Sequence, residues 1–425
     1  MRPWFLAGLV RPYVDPTAAR VPFAEWRYGD RLDTPLPGTE TTLPRILQTA
    51  TLLGADLARL ELVKDITVRF EPAENPGSSP EQDVDIVLRV KPTGRYFLKS
   101  STSFGNSEGT ASIQGKIRNV FGGAETLDGT ATLGTRTRRA YHAVFSTPVL
   151  SCPDLWASVS GLAQHVDRSS YIGAHEGLHT LRAALSYARG DSGRHELSYE
   201  LGHRHLHHIS PTASAAIRRL GEPSLRSALS YVFERDTRDD PLFATVGSYL
   251  RTDLMYAGLG GDTSFLRAEC QVATSRAFGD GWAWSLSART GALQMLGGQQ
   301  SRLYDRFMLG GPTCVRMFQF NALGPHSGQS SLGGDTFWAA GASLMAPLPR
   351  RPDWPLKLHT FANAGQLAHA AAPAELLAPS VSVGGGLLFQ QGALRLELNF
   401  GVPLAARESD GLRKGFQFGV GISYL

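Results

Sequence analysis

The residues with most to offer chemically are one arginine and a knot of histidines. Arg316 lies in the stretch Asp305 to Gln319, DRFMLGGPTCVRMFQ, with Gly310, Gly311 and Val315 before it and Met317 and Phe318 after it. A guanidinium set among apolar residues must find a carboxylate or another acceptor, because its isolated burial is severely unfavourable. His203, His205, His207 and His208 invite a metal reading, since histidines two residues apart share one strand face. No cysteine and no carboxylate of known spacing completes such a site, so a solvated loop or strand end is the favoured reading, and neither metal nor cofactor is expected. No Gly-x-Ser-x-Gly or HExxH motif supports a hydrolase. Cys152, Cys270 and Cys314 lie far apart and form no CxxC pair, which argues against a zinc site or a disulfide framework.

The elements that must hold these residues read as strands. In the closing segment GFQFGVGISYL, Phe416, Phe418, Val420, Ile422 and Tyr424 share one face, and Gly415, Gln417, Gly419, Gly421 and Ser423 share the other. The first face suits lipid and the second a polar lumen. The same alternation recurs in Leu394/Leu396/Leu398/Phe400 against Arg395/Glu397/Asn399, in Trp282/Trp284/Leu286/Ala288 against Ser285/Ser287/Arg289, in Leu266/Ala268/Cys270/Val272 against Arg267/Glu269/Gln271, and in Leu181/Ala183/Leu185/Tyr187 against Arg182/Ser186. Segments of about ten alternating residues between Gly, Pro and Asp turns are the pattern of a transmembrane β-barrel. Hydrophobic residues make up 42% of the chain and no apolar run reaches the roughly 18 residues of a membrane helix, which excludes spanning by helices. The mean hydropathy of -0.14 is what a barrel shows, since alternate residues face water. The 46 glycines suit strands that bend and pack closely. Trp156, Trp282, Trp284, Trp338 and Trp354 read as membrane-interface aromatics. A net charge of +4 without a basic block leaves no nucleic-acid footprint.

The N-terminus carries no convincing secretory h-region or cleavage site, which favours an organelle whose proteins arrive from the cytosol. Residues 1–40 give no clear elements. From 41 to 92, Leu43, Ile46, Leu47, Ala50, Leu53, Leu57 and Leu60 recur at helical spacing, followed by the strands ITVRF and DVDIVLRV across a Pro, Gly and Ser loop. A helix on a short sheet ahead of a barrel resembles a POTRA domain, here lacking a first strand and first helix. Residues 94–425 then read as barrel, with room for roughly sixteen strands. The fold class is thus a membrane all-β antiparallel barrel with an N-terminal α/β POTRA-like module.

Several motifs in order resemble the barrel-assembly outer-membrane superfamily, BamA-like proteins, and within it the mitochondrial branch that forms the barrel subunit of the sorting and assembly machinery. The flanks Asp305-Arg306-Phe307 and Leu309-Gly310-Gly311-Pro312-Thr313, then Gly324-Pro325, GGDTFWAAGASLMAPLP at 333–349, FANAG at 361–365, LRLELNFGVPL at 394–404 and the closing GFQFGVGISYL all match. Val315, Arg316 and Phe318 match the sixth-loop core, where Met317 replaces a glycine; Ala244 replaces the proline of a second landmark that keeps Gly247. The resemblance implies that the sixth loop folds into the lumen with its arginine paired to the inner wall, for which Glu397, lumen-facing by parity, and Asp335, which opens the following strand, are the candidate partners. It also implies that methionine at 317 adopts a local geometry different from the glycine it replaces, so that glycine would be tolerated there. It implies an insertase of the mitochondrial outer membrane without covalent catalysis. Its partners would be β-barrel precursors, accessory subunits of the same machinery and the bilayer. A lateral gate would lie between a first strand containing Tyr96, Phe97, Leu98 and Phe104 and a last strand containing Gly415, Gln417, Gly419, Gly421, Ile422 and Tyr424. Gln417, Gly419, Ile422 and Tyr424 also fit the terminal signal that this machinery reads in its clients. Arg407 is placed near a terminal turn as a solvated charge. A chloroplast outer-envelope relative and a passive outer-membrane pore are the alternatives.

Overall fold

The computed structural model describes all residues except 1, 16, 19–27, 35, 37–38, 40, 73–83, 106–107, 241–243, 280, 313, 352–353, 392–393, 414 and 423–425. No helix in it is long and apolar enough to cross a membrane. Sixteen strands instead form one antiparallel sheet, each hydrogen-bonded to its neighbours in sequence order. They are β3 (Tyr96–Gly105), β4 (Glu108–Arg118), β5 (Thr126–Gly134), β6 (Thr137–Pro148), β7 (Leu155–Asp167), β8 (His175–Ala188), β9 (Arg194–His207), β10 (Ser224–Asp236), β11 (Gly247–Gly261), β12 (Phe265–Ala277), β13 (Ala283–Met295), β16 (Thr336–Pro347), β17 (Leu356–Ala368), β18 (Ser380–Gln391), β19 (Leu394–Ala405) and β20 (Gly415–Ile422). Strands of this length are what a tilted crossing of the bilayer requires. β20 returns beside β3, with Cα atoms of the two strands within 8 Å. Among the described residues no ladder joins them.

The alternation read from the sequence sets which side chains face out. Leu181 and Leu185, Leu266 and Val272, Leu286, and Phe400 are all exposed on the outer face. Arg182, Arg267, Glu269, Arg289 and Glu397 project to the inner side, where Arg182 pairs with Glu196, Glu269 with Arg267 and Arg289, and Glu397 with the loop described below. Trp282 and Trp354 are exposed beside turns. Trp156 is not an interface residue. Its ring packs against the apolar cluster of the N-terminal module and its Nε1–H donates to the Pro153 carbonyl at 2.9 Å.

Residues 1–40 hold more order than their sequence suggests. Helix α1 (Pro3–Val14) buries Phe5, Leu9, Pro12 and Tyr13, and a short 3-10 turn follows at Gly29–Asp33. Helix α2 (Leu43–Arg59) and the antiparallel pair β1 (Val63–Pro72) and β2 (Val84–Pro92) then form where helical and strand periodicity place them. Phe5 and Leu9 of α1 meet Leu57, Leu60 and Leu62 and the barrel-turn residue Ala124 in one buried cluster. The Pro12 interruption hid α1 from periodicity alone; Pro12 lacks the N–H that would donate to the Gly8 carbonyl, and the helix ends two residues later at Val14.

The module is fastened to one rim of the barrel by charge as well as by packing. Arg31 bridges Asp56 of α2 at 2.6 Å and Asp154 of the β6–β7 turn at 2.8 Å, and Arg59 reaches the other oxygen of Asp154 at 2.5 Å. The Tyr13 hydroxyl donates to Asp56 at 2.7 Å. Burial, and then the neighbouring carboxylate, push the Tyr13 phenol up from its ordinary range. Two further barrel turns contribute, through Arg2 N–H to the Gly122 carbonyl at 2.7 Å and Arg189 to the Tyr28 carbonyl at 3.4 Å. Replacing Arg31 by methionine leaves Asp56 and the fully buried Asp154 carboxylate short of a cation. We expect this variant to lose about 3 kcal/mol or more at this joint, read as release of residues 1–92 to limited proteolysis with the barrel intact. Unchanged cleavage would show that packing alone holds the module.

Candidate functional site

The connection between β13 and β16, residues 296–335, does not project from the barrel. Its apolar residues Phe307, Leu309, Val315, Phe318 and Leu323 pack into one buried cluster with Ala228, Ala257, Phe265, Leu293, Phe337, Ala339 and Leu367 of the inner wall. The wall face expected to be polar thus carries an apolar patch on β10–β13, β16 and β17 that the loop covers. Gly310 and Gly311 turn the loop with φ of 108° and 122°, and a Cβ on Gly310 would sit 2.8 Å from the Gln319 carbonyl oxygen. Glycine is required there for conformation and space together. Phe307 and Gly334 exchange backbone hydrogen bonds, closing the loop's base, and a small hairpin of β14 (His326–Ser327) and β15 (Ser330–Ser331) lies within it.

Arg316 is the polar centre of the loop tip. Its Nε–H donates to Glu397 Oε1 of β19 at 3.0 Å and Nη2 lies 2.9 Å from the same oxygen. Nη1 reaches Asn363 Oδ1 of β17 at 3.4 Å, and the guanidinium lies over the Phe361 ring at 5.0 Å. Asn399 Nδ2 donates to the same Glu397 oxygen at 2.8 Å, and His359 Nε2 and Asn399 Oδ1 are 2.6 Å apart. Glu397, Asn399, His359 and Asn363 are all buried, so the guanidinium meets a prebuilt acceptor array on β17 and β19, the two strands that flank β18.

Asp335 does not pair with Arg316. It stands at the other end of the loop, where its carboxylate faces Arg306 at 3.8 Å and His369 at 3.7 Å and accepts from Ala370 N–H at 3.0 Å. The Phe307–Gly334 bridge at the loop's base sets it beside Arg306. Met317 also differs from expectation. It has φ of 64°, the left-handed conformation that glycine favours, so the backbone path survives the substitution while the side chain is fully buried. Arg407 is no free charge either, since its guanidinium contacts the Glu375 carboxylate at 2.8 Å and the Glu375 carbonyl.

Two anchors were missed in the sequence. Asp305 is buried between Arg204 at 3.3 Å and Arg226 at 3.5 Å, and Arg226 also pairs with Glu200. The inward parity of Arg204 and Arg226 was readable, but which loop residue they hold depends on the fold. The β19–β20 connection also enters the lumen: Arg413 N–H donates to the Met317 carbonyl at 3.0 Å and Gln319 N–H to the Gly411 carbonyl at 2.8 Å. The Arg316 tip is therefore tied by backbone to the segment that leads into the last strand.

Of the gate residues, Tyr96, Phe97, Leu98 and Phe104 lie in β3, and Gly415, Gln417, Gly419, Gly421 and Ile422 in β20. Tyr424 falls outside the described residues. Tyr96 and Leu98 are strongly exposed. In the register of β19 and β20, Glu397 stands opposite Gly419 and Arg395 opposite Gly421.

A family model described as the Omp85 superfamily domain matches residues 119–424. A SAM50-like protein of Schizosaccharomyces pombe is 37% identical over 409 residues, spanning 93% of this chain and 86% of its own. The sorting and assembly machinery component 50 homolog of Homo sapiens is 30% identical over 386 residues, spanning 87% and 81%. Among solved structures, BamA from Haemophilus ducreyi lacking POTRA domains 1-3 superposes with a TM-score of 0.75 at 15% identity, over 89% of this chain and 79% of that one, a likeness of fold.

Truncating Arg316 to alanine strands the Glu397 carboxylate inside the barrel. The expected cost is about 3 kcal/mol, seen as a lowered midpoint of urea unfolding in lipid vesicles, whereas alanine at the exposed Arg219 leaves the midpoint unchanged; equal midpoints would remove the loop anchor. Replacing Met317 by glycine relieves the left-handed backbone by about 1 kcal/mol but removes a buried side chain worth about 3 kcal/mol. The variant should fold with a net loss of about 2 kcal/mol, and a gain in stability would show that the side chain packs poorly.

Proposed function

The chain belongs to the Omp85 superfamily, and on that premise we propose that it is an insertase of the mitochondrial outer membrane that folds β-barrel precursors at the seam between β3 and β20. The relatives named for a sorting and assembly machinery support the assembly role and the location. The observation that carries the mechanism is that, among the described residues, β20 lies beside β3 without a ladder. In lipid each unpaired N–H and C=O costs several kcal/mol, roughly. A precursor's terminal strand that pairs with β3 satisfies both edges at once by strand addition. The work is non-covalent throughout: the protein lowers the barrier to folding by lending an edge.

The lumenal loop supports this reading over a passive pore, because it fills space along β10–β13, β16 and β17 that a conducting lumen would leave to water. The loop also bears on the seam. Its tip is hydrogen-bonded to the β19–β20 connection, and its arginine is held by Glu397, opposite Gly419 of the last strand. Gly419 and Gly421 supply no side chain opposite Glu397 and Arg395, which weakens the cross-strand pairing of β20 with β19 at those positions. The module of α1, α2, β1 and β2 is proposed as a POTRA-like domain on the rim where precursors arrive, with accessory subunits of the machinery and the precursors themselves as partners.

A disulfide between a cysteine placed in Tyr96–Gly105 and one placed in Gly415–Ile422, at a pair whose geometry permits bonding, should lock this seam. The oxidised protein is expected to keep a heat-resistant barrel fold and to stop releasing assembled precursor, with release restored by reduction. Undiminished release from fully cross-linked protein would overturn the lateral seam.

A further inference from the structure

The histidines noted in the sequence gather further partners in the fold. β8 and β9 pair so that His175 stands directly opposite His207. Both belong to the outward-facing set of their strands, in phase with the exposed Leu181 and Leu185 of β8 and Leu197 and Leu201 of β9. The next residue, His208, would continue onto the inner face if the strand ran on. Instead it adopts φ of 51°, a left-handed conformation unusual for a residue with a Cβ, and its ring turns back to lie 5.0 Å from that of His207 and 5.3 Å from that of His175. One ring nitrogen from each of the three falls within 4.8 Å of the others. The Nδ1 of His207 is buried and has no hydrogen-bond partner among the described residues.

The place matters as much as the geometry. The turns that receive the N-terminal module precede β7 and separate β8 from β9, so the end of β7, the start of β8 and the end of β9 lie at the opposite rim. Asp167, the last residue of β7, puts Oδ1 3.7 Å from His175 Nε2, the kind of carboxylate that orients an imidazole behind a metal. Three imidazoles with one position left open are a donor set for a borderline divalent cation. Hard cations such as Mg2+ and Ca2+ prefer oxygen ligands.

We propose that His175, His207 and His208 form a tris-imidazole site for a divalent transition metal of the Zn2+ class. Bound there, the ion clips the β8–β9 pair at the rim and fixes the segments that leave it toward β7 and β10. His179, His203 and His205 lie farther along the same outer face, with His203 opposite His179 in the register, and are not ligands of this ion.

The test is titration of Zn2+ into tag-free, full-length protein in detergent near neutral pH, with affinity read by competition against a chromophoric chelator. One ion per chain is expected. His207→Ala should weaken it about tenfold or more, as should His208→Asn, which keeps a residue that accepts left-handed backbone. His203→Gln should retain the affinity of the parent. Zn2+ should also raise the thermal midpoint of the parent and of His203→Gln while leaving that of His207→Ala unmoved. Equal Zn2+ affinity in the parent and His207→Ala would overturn the site, as would loss of the ion on His203→Gln or no binding below millimolar Zn2+.

Discussion

The constraint on which the rest depends is that a sheet in lipid has nowhere to leave an unpaired backbone group. Each strand from β3 to β20 meets this demand through its sequence neighbour, which is why one up-and-down order suffices and why no crossover appears in the sheet. The exception is where the two ends of the sheet come side by side. On the proposed function, a protein that lends an edge to others must keep such an edge of its own, and glycines at 419 and 421 stand in the register that holds the last strand to β19.

The lumen answers a second demand. An empty barrel of this size would expose an apolar inner patch to water. Residues 296–335 cover it, with the Phe307 and Phe337 rings tilted at 53° and their centroids 4.7 Å apart, and Arg267 lies over the Phe307 ring at 4.3 Å. Ionic anchors then fix the loop at three points: Asp305 on Arg204 and Arg226, Arg306 near Asp335, and Arg316 on Glu397. Each anchor joins a loop charge to an opposite charge in a confined space, where removal of one partner costs more than the pair contributes. Such an arrangement specifies one loop path more strongly than it stabilises the barrel.

Much of this was legible because strands have a period of two. Parity alone put Glu397, Arg182, Arg267 and Arg289 inside and the leucines outside, and roughly sixteen segments followed from spacing. Parity also made Glu397 a sound partner for Arg316. What it lacked was distance along the barrel axis and around its wall, so Asp335 looked equally near, Asp305 passed as a motif flank and Arg407 as a solvated charge. The φ of 64° at Met317 was illegible for another reason. Sequence reports the residue that prefers a conformation, while packing decides which residue bears it, and a buried thioether offsets the strain that a glycine would avoid. Trp156 and α1 were misread together, because the ring that looked like a membrane anchor is half-buried against the cluster to which the helix that periodicity did not reveal contributes Phe5 and Leu9.

The coupling of these parts runs through the chain's last quarter. β17 supplies Asn363 and Phe361, β19 supplies Glu397 and Asn399, and the connection that follows β19 donates and accepts backbone hydrogen bonds at the loop tip. The strand that leaves this connection is β20, the mobile partner in the proposed seam. A displacement of β20 large enough to free β3 must either break Arg413 N–H from the Met317 carbonyl or carry the loop tip with it. In the second case Arg316 would have to leave an acceptor array that no water could replace in kind. In the proposed mechanism the ion pair therefore favours the first course, in which the connection yields, the loop stays, and the seam opens against a fixed lumen.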